Sequence, residues 1–322
     1  MNKKNFITGI SGFAGFHLTN ELLKNKCSVA GIYYPRDAEK KFTAKYPNVK
    51  ISLCDILDKN NTAEVIKKYS PDTVFHLAGI ASVKYASNNV QAVIDANLKG
   101  LANVMEACAS LKNRPLVIFI SSAEVYNFDC TTKKISENES INPVSPYAIT
   151  KYAGELLFKY FLKSEKMRGI IVRPFNHIGP YQSPDFSISS FAKKIAEIEK
   201  NKNNFVLKTG NLNSERDFTD VRDVVSAYYK ISRLPVKTGI AEVYNIASGK
   251  TYKIEDLLKK LISLSSVSNK IKIRKDPELF RKIDILKTCG DYSKLNKKCG
   301  WKPVIDINET LRDTLDFWRA NI

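Results

Sequence analysis

Two hydrophobic rhythms alternate along the chain. Residues 5–8 form a short apolar run that stops at Gly9, and residues 15–24 carry Phe16, Leu18, Leu22 and Leu23 at helical spacing. Strand, glycine turn and helix is the order this predicts. The pattern recurs, with strands predicted over 28–32, 49–54, 73–78 and 116–121 and helices over 62–69 and 90–111. Such alternation specifies an α/β fold, a doubly wound parallel sheet with helices on both faces. A long helix over 145–163 and a strand over 169–172 continue it. Beyond Arg173 the rhythm loosens into segments rich in Pro, Gly, Asn and Ser, and a smaller mixed α/β lobe begins there. Helices are predicted near 190–200, 221–234, 254–264 and 308–319, with Trp318 in the last turn, and 241–246 reads as a strand returning to the sheet.

Composition narrows the class. The 322 residues carry 51 Lys+Arg against 33 Asp+Glu, a formal charge of +18. The lysine pairs have no interleaved aromatic stripe, so a solvated basic surface or attraction of a small anionic substrate is expected and nucleic acid is not. The longest apolar run, residues 115–120, is far shorter than the roughly 20 residues of a membrane helix. Six cysteines without a CxxC pair and three histidines argue for reduced thiols and against a zinc site. A cytoplasmic protein that neither crosses nor binds a membrane is expected.

Three segments carry candidate chemistry. Gly9, Ser11, Gly12, Phe13, Ala14 and Gly15 lie in a GxxGxxG turn between strand and helix, where backbone N–H groups can meet a pyrophosphate. Tyr147 and Lys151 share one face of a predicted helix, and an ammonium near a phenol favours phenolate, a pair able to shuttle a proton at a carbinol oxygen. Ser122 follows a buried-type strand at its carboxyl end, the edge that lines the ligand crevice of a doubly wound sheet.

In this order and spacing, these motifs resemble the extended short-chain dehydrogenase/reductase family, in its nucleotide-sugar epimerase/dehydratase branch, over nearly the whole chain. The resemblance implies a Rossmann NAD(P)-binding domain over 1–173 and a mainly substrate-binding lobe over 174–322, with about 219–247 crossing back. It gives Ser122 and Tyr147 hydrogen bonds to the reacting sugar oxygen and Lys151 a grip on the nicotinamide ribose. It also assigns Asp55 and Ile56 to the adenine side and Leu77, Ala78 and Gly79 to the strand end beside the phosphates. Arg173-Pro-Phe-Asn-His-Ile-Gly-Pro180, the segment from Gly210 to Asp223 and Tyr244-Asn-Ile-Ala-Ser-Gly249 look like the GDP-sugar dehydratases and reductases. Substrate contacts are then implied for Asn176, Lys193, Arg216, Arg281 and Asp284, the cations answering a diphosphate. His177 is expected to be packed or hydrogen-bonded rather than a base.

A 4,6-dehydratase needs a base and a proton donor beyond Ser, Tyr and Lys. Ser122-Ala123-Glu124 keeps the glutamate, a candidate catalytic base, but places a methyl where the dehydratases carry Asp or Ser. The expectation is therefore an NAD(P)H-dependent reductase of a GDP-4-keto-6-deoxy-sugar. A 4,6-dehydratase or C4 epimerase, and a non-catalytic dinucleotide-binding regulator, are the alternatives. Tyr181 and Lys282 depart from the family pattern near the expected substrate pocket. Arg36, after the second strand, could meet an adenosine 2′-phosphate, which favours NADP(H) with NAD(H) tolerated. A homodimer through the long helices from Val90 and Ser145 is expected by analogy.

Overall fold

The computed structural model describes residues 3–35, 39–128, 133–202, 205–280 and 285–322. Its first half follows the predicted alternation: β1 (Lys4–Thr8), α1 (Phe13–Lys24), β2 (Ser28–Tyr33), α2 (Glu39–Lys45), β3 (Lys50–Leu53), α3 (Lys59–Tyr69) and β4 (Thr73–His76). Then come α4 (Val83–Asn88), α5 (Val90–Ile94), α6 (Gly100–Ala109), β5 (Leu116–Ile120), α7 (Pro146–Ser164) and β6 (Arg168–Pro174). The second half contains β7 (Asn176–Ile178), α8 (Ser187–Asn201), β8 (Val206–Thr209), β9 (Glu215–Arg216), β10 (Phe218–Asp220), α9 (Val221–Ile231) and β11 (Ala241–Ile246). It closes with β12 (Tyr252–Lys253), α10 (Ile254–Ser263), β13 (Lys272–Lys275), α11 (Ser293–Cys299) and α12 (Ile307–Arg319).

The seven-stranded sheet runs β11-β6-β5-β4-β1-β2-β3, every neighbouring pair parallel. Successive side chains of a strand point to opposite faces, so each central strand feeds two cores. Phe6, Val74, Val117, Phe119 and Ile171 meet Ile66 of α3, Leu101 and Val104 of α6 and Phe158 of α7. Ile7, Phe75, Ile118, Ile170 and Val172 meet Phe16 and Leu22 of α1 and Val224 of α9. A third core joins α8, α10 and α12 through Phe191, Ile195, Leu258, Leu261, Leu311 and Leu315.

The structure departs from the sequence pattern in two places. The helix expected over 90–111 is interrupted by a π turn, Asp95–Lys99. The wider turn accommodates Asn97, buried and hydrogen-bonded to two other elements, where an uninterrupted α-helix would follow only the apolar spacing. Farther on, Leu295 of α11 and Trp301 pack into the sheet core with α1 and α9. Trp301 Nε1 donates to the Asp223 carbonyl at 3.1 Å, while the Asp223 carboxylate accepts from the N–H groups of Val304 and Ile305. Residues near 293–301 therefore return to the sheet as 241–246 does.

Asp217 ties three segments of the second half together at one point. Its buried carboxylate accepts N–H bonds from Ser248, Gly249 and Gly290 at 2.8, 2.9 and 3.0 Å.

Candidate active site

The glycine loop leaves β1 at Gly9, whose φ of +70° disfavours any side chain. A Cβ on Gly15 would stand 2.4 Å from the Gly9 carbonyl oxygen, so helix and loop approach this closely only with glycine there. Gly12 caps α1 without a side-chain hydrogen bond. The first N–H groups of the helix thus remain for an anion, and a pyrophosphate fits the cradle. Ser11, Phe13 and Ala14 share this loop. His177 stacks on Phe13 with ring centroids 5.6 Å apart and planes 7° from parallel, and its Nδ1 lies 3.2 Å from the Phe175 carbonyl oxygen, a packed role as expected.

At the carboxyl edge of β5, Ser122 opens a short turn, its Oγ accepting from Glu124 N at 3.1 Å. Ser145 caps α7 and Pro146 occupies its first turn, which seats Tyr147 beside Ser122. The hydroxyls of Tyr147 and Ser122 are hydrogen-bonded, and Glu124 acts on the phenol through its charge. One turn on, Lys151 is buried and its Nζ donates to the Ile120 carbonyl at 2.9 Å.

The electrostatics correct one expectation. Burial pushes Tyr147 up to about 12, the Ser122 bond opposing and the Glu124 charge adding to that rise. Lys151, itself buried, is pulled down to about 8. Desolvation therefore outweighs any lowering of the phenol by the ammonium, and Tyr147 is protonated at neutral pH. Glu124 is half-buried in the same turn, and between it and Ser122 stands the buried methyl of Ala123.

Two supporting networks were not read from the sequence. Asn97 accepts from Ile80 N at 2.8 Å and donates to Thr150 Oγ1 at 3.0 Å, tying the loop after β4 to the helix that carries Lys151. A Cβ on Gly79 would stand 2.6 Å from Asn97 Oδ1, which explains glycine there. Glu155 is fully buried, accepts from Ser121 Oγ at 2.6 Å and forms a two-pronged pair with Arg173 at 2.8 and 2.6 Å. A polar stripe at 147, 151 and 155, spaced by four on one helix, was the available signal. For Asn97 the signal was an amide among the apolar positions of its helix, shared with Asn103.

The other expected contacts are more scattered. Asp55 caps its own turn by accepting from Leu57 N at 2.9 Å, Ile56 is buried beside it, and Leu77 and Ala78 are half-buried after β4. Asn176 is exposed on β7. Lys193 lies 5.5 Å over the Trp318 ring and pairs with Glu197 at 3.7 Å. Arg216 is buried and donates to the Glu215 carbonyl at 3.0 Å. Arg36, Arg281, Lys282 and Asp284 lie outside the described residues.

A glycine cradle and a buried hydroxyl–phenol–ammonium set at the carboxyl edge of one parallel sheet form the architecture of a dinucleotide-dependent oxidoreductase of the Rossmann type. Comparison with known proteins refines this class. The family model described as GDP-mannose 4,6 dehydratase matches residues 6–314, and the chain belongs to that family. GDP-6-deoxy-D-mannose reductase of Pseudomonas aeruginosa is 32% identical over 323 residues, covering 100% of this chain and 99% of the relative. UDP-glucuronate 4-epimerase of Thermodesulfobacterium geofontis is 29% identical, covering 98% and 96%. Among solved structures, RMD from Pseudomonas aeruginosa complexed with NADPH superposes with a TM-score of 0.84 at 30% identity, covering 100% of both chains.

Proposed function

We propose that the protein reduces the C4 ketone of a GDP-linked 4-keto-6-deoxy-sugar, with NADPH as the preferred donor and NADH tolerated. The observation that carries this reading is the Ser122–Tyr147 hydroxyl pair beside Ala123. It offers a hydrogen bond and a proton to one oxygen, and a methyl where loss of water would need a donor. The family membership and the reductase relative support the substrate class.

A bound nicotinamide supplies the hydride that adds to C4. Ser122 holds the ketone oxygen, and Tyr147, protonated at neutral pH, passes its proton to that oxygen as charge develops there. The phenolate left behind is stabilised by the Lys151 ammonium one turn along α7 and regains its proton from solvent. Lys151 also reaches the nicotinamide ribose. Glu155 and Arg173 fix the strand end beneath, and Asn97 fixes the loop after β4. Gly9, Gly12 and Gly15 receive the pyrophosphate, and Asp55, Ile56, Leu77, Ala78 and Gly79 flank the adenosine half. The lobe after residue 173 supplies Asn176, Lys193 and Arg216 to the sugar diphosphate.

One observation favours dehydration as a second reading: Glu124, in the turn that carries Ser122, acts on Tyr147 through its charge and could remove a proton from C5. The two readings separate in one assay. Reduction predicts NADPH consumption on GDP-4-keto-6-deoxy-mannose with a product two hydrogens heavier. Loss of water from GDP-mannose in the presence of NAD, with no net change in the cofactor, would establish the dehydratase instead.

A homodimer suits this reading. Ile149, Leu156 and Tyr160 of α7 and Val90 and Ile94 of α5 are exposed apolar side chains on two helices in contact. No helix among the described residues is long and apolar enough to cross a membrane. The proposed reaction, between dissolved cofactor and dissolved nucleotide sugar, belongs in the cytoplasm.

A further inference from the structure

The edge of the sheet at which the strands begin, opposite the catalytic edge, holds a cavity of about 590 Å³. That volume lies within the range of small-molecule sites, about 300–1,000 Å³. Lys4 of β1, Lys45 of α2, Lys50 of β3 and Lys68 of α3 line it, and among the described residues no carboxylate does. The Lys45 ammonium lies over the Phe16 ring at 4.8 Å, which leaves the other three for a ligand.

Strand register explains how these cations share a site. Lys4 pairs with Ser28 of β2, and Lys50 pairs with Ala30, two residues farther along β2. Lys4, Ser28 and Lys50 therefore project from one face of three adjacent strands. The last turn of α3 covers the same face, where Tyr69 Oη lies 3.1 Å from Ser28 Oγ and Lys68 precedes it. Arg233 adds a cation at the wall by donating to Cys27 Sγ at 3.2 Å.

No local partner accounts for the three lysines together. Lys68 can answer the dipole at the end of α3, but Lys4 and Lys50 open strands and serve no helix end. None of the three forms an ion pair among the described residues. Asp72, close by, accepts from the Lys4 backbone N–H at 2.8 Å and stays outside the wall. Like charges gathered on one face repel, and a bound anion removes that cost. Neighbouring strands lie about 4.8 Å apart, so Lys4 and Lys50 leave the sheet roughly 10 Å apart, wider than one phosphate and matched by a chain of two or three. Of the Ser28 and Tyr69 hydroxyls one donates to the other, and the second keeps its hydrogen for a phosphate oxygen.

We propose that this cavity binds a di- or triphosphate anion through Lys4, Lys50 and Lys68, at a site separate from the catalytic one. Lys4 stands at the start of β1 and the glycine loop at its end, roughly 15 Å away at about 3.3 Å per residue.

The test is calorimetric titration of inorganic triphosphate and of ATP, with NADPH in excess, into the wild type, Lys4→Met/Lys50→Met, Lys68→Met and Lys67→Met. Lys67 is the neighbouring lysine of α3 that does not line the cavity. Loss of charge-assisted phosphate contacts should weaken triphosphate about tenfold or more in the double variant and in Lys68→Met, and less than about twofold in Lys67→Met. Turnover of the double variant should stay within about twofold of wild type, since both lysines lie at the far edge of the sheet. ATP lost in parallel with triphosphate but bound more tightly would support a nucleotide as the ligand, and equal affinity the bare phosphate chain. A wild type that takes up neither at millimolar concentration would overturn the proposal. So would an isotherm unchanged in the double variant and Lys68→Met, which puts the anion elsewhere, or equal weakening in Lys67→Met, which assigns the binding to general surface charge.

Discussion

Lys151 Nζ donates to the carbonyl oxygen of Ile120 at 2.9 Å, so the last peptide of β5 holds an ammonium that burial works to discharge. The group falls from its ordinary value of 10.5 to about 8. Its unfolded form therefore binds more protons than the folded form between those values, and stability rises with pH across that window. Below pH 8 the penalty is full, about 3 kcal/mol at 1.36 kcal/mol per unit. Lys151→Met should raise the urea midpoint at pH 7 while abolishing turnover, and its advantage should shrink as pH rises from 8 to 10.5. A variant less stable than wild type at pH 7 would contradict this.

His76 has the same sign and the same main cause, burial, with the Lys151 charge added. It is buried, its Nδ1 lies 2.9 Å from Thr8 Oγ1, and burial together with the Lys151 charge pulls it from 6.5 down to about 3. The folded state keeps the ring neutral while the unfolded chain protonates it. Stability is therefore lost as pH falls through 6.5 towards 3, by at most about 5 kcal/mol. His76→Asn, which keeps an acceptor near Thr8, should flatten the fall measured by urea denaturation between pH 6.5 and 4. Parallel curves for the two proteins would refute it.

Glu155 and Arg173 form a fully buried pair, and Arg173 also stacks 4.7 Å from the Tyr126 ring centroid. Removing the carboxylate alone strands a buried cation, so Glu155→Leu should cost about 3–5 kcal/mol. The double variant Glu155→Leu/Arg173→Leu removes both charges and should be less destabilised than Glu155→Leu. Additive losses in a double-mutant cycle would show that the two residues are not coupled.

Tyr181 combines a left-handed backbone with a ring held between Phe16 and Phe317. Tyr181→Gly loses the stacking but relaxes the backbone, whereas Tyr181→Ala loses the stacking and keeps the strain. Thermal unfolding should rank wild type above Gly and Gly above Ala, the last two separated by about 1 kcal/mol. Reversal of Gly and Ala would show that φ carries no cost there.

The sequence by itself determined the alternation of the sheet half, because period-two and period-3.6 apolar spacing are local properties of the chain. It also placed the glycine loop, Ser122, Tyr147 and Lys151, whose chemistry follows from residue type and short spacing. Only the tertiary structure decided what those groups experience. Burial moves the Tyr147 phenol up, against the lowering that a neighbouring ammonium alone would give, and pulls Lys151 down, and burial is a property of everything packed around them. The π turn at Asn97 and the Ser121–Glu155–Arg173 network likewise depend on partners from 17 to 53 residues away. The return of α11 and Trp301 to the sheet rests on Asp223, 78 residues earlier. Local pattern cannot encode such pairings, since each gains its free energy only when distant segments have already been brought together.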